Sequence, residues 1–115
     1  VESNVMVVME IDGRKYRKNL ADLSVGGMAI VFTKSERFPL QIGAIISNIK
    51  IVVGNRNTEQ RLRARVTNIL KLTPFLVENC PYGGDRVSFQ FLGLNRMNYN
   101  FIEDIIMSHL NLLKA

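Results

Sequence analysis

Residues 19–32 read Asn-Leu-Ala-Asp-Leu-Ser-Val-Gly-Gly-Met-Ala-Ile-Val-Phe, a reversal of the chain set between two strand-forming stretches. Asp22 and Ser24 are turn formers, because their side-chain oxygens can bond nearby backbone amides. Gly26 and Gly27 let the backbone take positive φ or come close to a ligand. After the glycines, Met28, Ile30 and Phe32 alternate with Ala29 and Val31, the period of a strand with one buried face.

Outward from this segment the same period recurs. Val5, Val7, Met9 and Ile11 share one face of a first strand, opposite Met6, Val8 and Glu10. Asp12-Gly13 follows, a dipeptide suited to the positive φ of a tight hairpin, so a basic second strand is expected over residues 14–21. Residues 34–43 read as a loop with Phe38 and Leu40 turned inward. A strand over 45–53 ends at a turn of composition Gly54-Asn55-Arg56-Asn57. The next strand, about 58–72, puts Leu62, Ala64 and Val66 on one face and Arg61, Arg63 and Arg65 on the other. Pro74, Pro81 and Gly83-Gly84 mark an irregular connection before Val87, Phe89 and Phe91 restore strict alternation. From about residue 96 the period changes: Phe101, Ile102, Ile105, Ile106, Leu112 and Leu113 recur at helical spacing. A helix over about 96–113 is expected, with Asn95, Asn98 or Asn100 as its cap and Asn100 with Glu103 as a capping box.

The expected fold is thus mainly β: about six antiparallel strands in hairpin order, closed as a small barrel or folded as a sandwich, with a C-terminal helix over one opening. The 115 residues are expected to form one domain, 1–115, since no linker, repeat or low-complexity stretch divides them.

Composition excludes several classes of function. Cys80 and His109 are the only residues of their types, too few for a disulfide or a Cys/His metal site. No apolar run reaches the 18 to 20 or so residues of a membrane span. His109 and Ser108 are adjacent on the helix and point about 100° apart, so they do not form a nucleophile and base. No pair of carboxylates stands out as an acid and base, and Asp22 has only Ser24 beside it without a histidine. An enzyme is not expected, and neither is a cofactor. The methionines read as core or helix-interface filling. The net charge of +5 favours acidic partners without choosing among them.

Asp22, Ser24, Gly26 and Gly27 are the candidate ligand-binding residues. A carboxylate is a pair of acceptors that matches the N1 and N2 donors of a guanine edge. The same residues also suit a plain reversing turn. On Asp22-x-Ser24-x-x-Gly27, on the flanks Asn19-Leu20-Ala21 and Met28-Ala29-Ile30-Val31, and on residues 86–94 running into the helix, the chain resembles the PilZ domain family. That resemblance implies a six-stranded antiparallel barrel with a C-terminal helix. It also implies a bacterial, cytoplasmic receptor for cyclic di-GMP that regulates motility, exopolysaccharide or biofilm output. A protein effector in flagellar, pilus or polysaccharide-synthesis machinery would receive the signal.

The family's second signature, Arg-x-x-x-Arg just before the first strand, has no counterpart in Val1 to Asn4. Arg61-x-x-x-Arg65 has the spacing but falls on a later strand. The arginines are therefore expected upstream of Val1, or this member lacks them. In the latter case the same barrel is an interaction domain that binds no nucleotide. A third alternative is a nucleic-acid-binding barrel using Arg61, Arg63 and Arg65. That role calls for exposed aromatics, for which only Tyr16, Tyr82 and Tyr99 are candidates, so DNA is not an expected partner. An edge strand or the helix can support a homodimer.

Overall fold

The computed structural model describes residues 5–72 and 83–114, with side chains as far as Ser108. Eight strands precede one helix: β1 Val5–Ile11, β2 Arg14–Asn19, β3 Asp22–Leu23, β4 Gly27–Thr33, β5 Ile45–Val53, β6 Arg56–Asn57, β7 Leu62–Leu72, β8 Gly84–Leu92 and α1 Arg96–Lys114. All pairings are antiparallel, in the order β2-β1-β5-β7-β8-β4-β3, with β6 beside β5. The mainly β architecture with a terminal helix is as the sequence implies.

Two elements differ from expectation. The turn after β5 contains β6, which pairs with Val52 and Val53. Thr58 is then buried, its amide donating to the Ile51 carbonyl at 3.1 Å, and the chain bends there before β7 begins. The motif segment is itself a small hairpin, β3 turning into β4, so the basic second strand stops at Asn19.

The first hairpin forms as read: Asp12 and Gly13 have φ of 52° and 82°, the left-handed pair a two-residue turn needs to match strand twist. Val7, Met9, Ile11, Met28, Ile30, Phe32, Leu62, Ala64, Val66, Val87, Phe89 and Phe91 are buried together with Ile102 and Ile105 of the helix. Phe38 and Leu40 pack against this core from the loop after β4. Irregularities in register between Ile46 and Ile49, and between Val66 and Asn68, bend the sheet around the core.

Among the described residues the hydrogen-bonded path runs from β2 to β3 without closing on itself. Side chains draw its ends together instead. The Tyr16 ring of β2 meets Phe32 of β4 edge-on at 5.8 Å. Lys18 Nζ lies 5.6 Å from the Phe32 ring centre and bonds both carboxylate oxygens of Glu36, at 2.6 and 2.8 Å. Glu36 Oε1 also accepts from the Thr33 amide at 2.8 Å and from Thr33 Oγ1 at 2.9 Å. Burial alone would raise the Glu36 carboxyl, but the Lys18 and Thr33 bonds outweigh it and hold it below the ordinary carboxylate range.

The helix starts at a different asparagine from the capping box. Asn95 Oδ1 accepts from the Asn98 amide at 2.7 Å, which makes Asn95 the cap and leaves Asn100 inside the helix. Asn95 and buried Asn98 also bond Gln60, through its side chain at 2.6 Å and its carbonyl at 3.1 Å. Tertiary contact with the approach to β7 thus selects the cap. Of the methionines, Met9 and Met28 are buried, but Met97 and Met107 are 54% and 53% exposed, which corrects the expectation that all fill the core or an interface. Cys80, Tyr82, Pro74, Pro81 and Val1 to Asn4, with the side chains of His109, Leu112 and Leu113, lie outside the described residues.

Candidate functional site

The candidate residues lie together on the β3–β4 hairpin. Ser24 and Gly27 exchange backbone hydrogen bonds, at 2.8 Å from the Ser24 amide and 3.3 Å from the Gly27 amide. The Gly27 amide also lies 3.2 Å from Ser24 Oγ, so the hydroxyl braces the turn. Asp22 Oδ1 accepts from the Leu23 amide at 2.9 Å, which fixes the carboxylate plane. Its side chain is nonetheless 73% exposed, and both oxygens retain lone pairs for another donor.

The glycines serve purposes other than positive φ. Neither Gly26 nor Gly27 is in the left-handed region, which corrects the conformational part of the expectation. At Gly27 an added Cβ would sit 2.0 Å from the Phe89 carbonyl oxygen. The residue is small because β4 must pair closely with β8. At Gly26 an added Cβ would meet only Ser24 Oγ, at 3.8 Å, so that position is open toward the outside.

Sheet register supplies neighbours that linear reading missed. Asp22 pairs with Ala29, Ala29 with Ser88, and Ser88 with Asn68, so these residues project from the outer face in one row. The next row runs Gly27, Gln90, Arg65 and Ile45. Val31 with Arg86 makes a third. Arg86 reaches back over β4, and its Nη2 lies 3.9 Å from Asp22 Oδ2. Alternation along β8 already put Arg86, Ser88 and Gln90 opposite Val87, Phe89 and Phe91. What the sequence does not reveal is that β8 lies beside β4, because residues 34–83 separate them.

The arginines of β7 do project outward, and Arg61 donates to Asn48 Oδ1 at 2.7 Å. Tyr16, one candidate base-stacking residue, is buried, and Tyr99 is on the helix rather than on this face. A groove of about 410 Å³ lies between β6 and the helix and is lined by Arg56, Met97, Phe101 and Asp104 among others. None of the motif residues lines it. Asp22, Ser24 and Gly26 are exposed at the surface. Among the described residues no three or more His, Cys, Asp or Glu side chains are grouped as for a metal, and no helix is long and apolar enough to cross a membrane.

In sequence, the PilZ domain family matches residues 1–108. The chain belongs to the PilZ family. No curated protein matches it in sequence. Among solved structures, it is similar to the PilZ domain of YcgR from Escherichia coli with c-di-GMP, at 24% identity, covering 90% of this chain and 79% of that one, with a TM-score of 0.72. It is also similar to the K. pneumonia MrkH–c-di-GMP complex, at 20% identity and a TM-score of 0.78, covering 99% of this chain and 49% of that one. The apo form of MrkH gives the same TM-score, 0.78, at 19% identity and with 98% of this chain covered. The chain spans about half the length of MrkH. These likenesses are of fold, a PilZ-like antiparallel sheet with a C-terminal helix.

Proposed function

We propose that this chain is a PilZ receptor domain for cyclic di-GMP, without catalysis of its own, in which Asp22 and Ser24 take a guanine edge. The observation that carries the reading is the Asp22-x-Ser24-x-x-Gly27 hairpin, which holds an oriented carboxylate at 73% exposure beside a serine hydroxyl. A carboxylate so placed accepts the two donors of guanine with little reorganisation. Open space at Gly26 allows the nucleotide to approach the turn. The solved structures of similar fold that contain c-di-GMP support the same ligand.

The ligand's two phosphates need counter-charge, which a pair of arginines in the segment before β1 would supply in this reading. The Val5 carbonyl accepts from the Leu20 amide at 3.2 Å, so the start of β1 is bonded to a residue two positions before Asp22 in the chain. Ordering of the segment before β1 over bound nucleotide would pass the signal to a protein effector governing motility, polysaccharide or biofilm output in the cytoplasm. The domain in this reading is 1–115.

A second reading, a PilZ barrel that docks a protein without nucleotide, is favoured by the exposed Met97 and Met107 on the helix. Calorimetric titration with cyclic di-GMP, on this chain and on one extended upstream through the native sequence, decides between them. Binding in the extended chain that is lost in Asp22→Ala supports the receptor. Silence in both supports the docking domain.

A further inference from the structure

We infer that Arg86 joins Asp22 in reading the guanine base, so that the two side chains act as one acceptor–donor unit; this inference rests on the cyclic di-GMP reading above. The guanine edge presents two donors, N2–H and N1–H, followed directly by an acceptor, O6. The Asp22 carboxylate offers two acceptors, and the Arg86 guanidinium stands next to them as a donor. The order is complementary.

The geometry around the pair favours this use. Asp22 and Arg86 come from strands on either side of β4 and meet above it. Beneath them the outer face of β4 carries Gly27 and Ala29, with Val31 directly beside Arg86 and with Ser88 and Gln90 of β8 along the far side. Ala29 is only 4% exposed although it belongs to the outer row, so its neighbours close over it. Asp22 and Arg86 thus stand on either side of β4, with polar groups of β8 next to them. At 3.9 Å the Arg86 nitrogen is beyond hydrogen-bond distance from Asp22 Oδ2. It therefore neutralises the carboxylate without donating to that oxygen, and an incoming O6 can accept from it. Arg86 is 37% exposed, and so within reach of a ligand. Adenine places an acceptor and an amino donor where guanine has N1–H and O6, and would set like against like at both partners.

The test uses the native protein, including its sequence upstream of this chain. Wild type, Arg86→Ala, Arg86→Met and Asp22→Ala are titrated with cyclic di-GMP and with its 6-thioguanine analogue, whose sulfur is a weak acceptor at the O6 position. Arg86→Ala and Arg86→Met, neither of which has a donor, should weaken cyclic di-GMP binding about tenfold, the scale of one lost charged hydrogen bond. The thio substitution should weaken binding to wild type but not to either Arg86 variant, since the partner is already gone. Binding of cyclic di-GMP as tight in both Arg86 variants as in wild type overturns the inference. An equal thio penalty in wild type and variants also overturns it, because Arg86 then acts elsewhere. In both cases Asp22→Ala still loses binding, and the receptor reading stands. A wild-type protein that binds neither nucleotide removes both readings together.

Discussion

Asp22 and Gly27 lie in one six-residue segment and bear on different properties. The Asp22 side chain is mostly in water, braced by a single amide of its own turn and a loose ion pair with Arg86. Exposed pairs of this kind contribute little to stability. Asp22→Ala should therefore leave the stability read from urea unfolding within about 0.5 kcal/mol of wild type while abolishing nucleotide binding. Retained binding in that variant would remove Asp22 from the site. Gly27 has the opposite signature. A methyl group there would press into the Phe89 carbonyl, which is backbone in the middle of a ladder and cannot swing aside. Gly27→Ala should cost about 2 kcal/mol or more, read from the urea midpoint, and any loss of binding in it would follow from the displaced hairpin. The motif's spacing is legible in the sequence. That its last glycine answers to a neighbouring strand is not, because Phe89 is distant along the chain.

At the scale of elements, two junctions are held by polar side chains. Asn95 caps the helix and also grips Gln60, so Asn95→Ala removes both the cap and a docking bond. We expect a loss of about 1 to 2 kcal/mol, the upper part of the range for a cap, measured by chemical denaturation. Asn100→Ala should be near neutral by comparison, since that residue is exposed within the helix. The seam between β2 and β4 depends on Glu36. Its carboxyl is held below the ordinary range, so folding favours the ionised form. The stabilisation is present at neutral pH and is lost as pH falls through the depressed folded value. Glu36→Gln should destabilise by about 1 to 2 kcal/mol at pH 7. The gap between variant and wild type should narrow on acidification below the ordinary carboxylate range. A gap that stays constant down to pH 3 would show that the Lys18 contact contributes through shape rather than charge. The sequence shows Lys18 on a basic strand and Glu36 in a loop, but no local pattern links them.

At the scale of the molecule, a ligand that binds only the folded chain stabilises it by mass action. At a free concentration one hundred times Kd, cyclic di-GMP should add about 2.7 kcal/mol to the upstream-extended protein, raising Tm by on the order of 10 °C. Asp22→Ala should show no such shift. The outer face also carries Arg61, Arg63 and Arg65, with no exposed aromatic ring among the described residues of β7 or the strands beside it. Phosphate contacts without stacking would give this face only a salt-sensitive, sequence-blind affinity for nucleic acid.

Much of the architecture follows from sequence because its signals are local. Period-two alternation decides which residues of β1, β4, β7 and β8 face inward, the Asp12-Gly13 dipeptide dictates a tight hairpin, and the change to helical spacing marks α1. A side chain's direction along a strand depends on its own chain alone, so composition and spacing suffice. Tertiary structure decides which strands become neighbours: β8 beside β4 brings Arg86 to Asp22 and makes Gly27 obligatory, Gln60 picks Asn95 over Asn100 as the cap, and Tyr16, Lys18 and Glu36 join edges that no ladder closes among the described residues. These outcomes depend on pairing across long loops, where the partners meet only once the whole sheet has curled around its core.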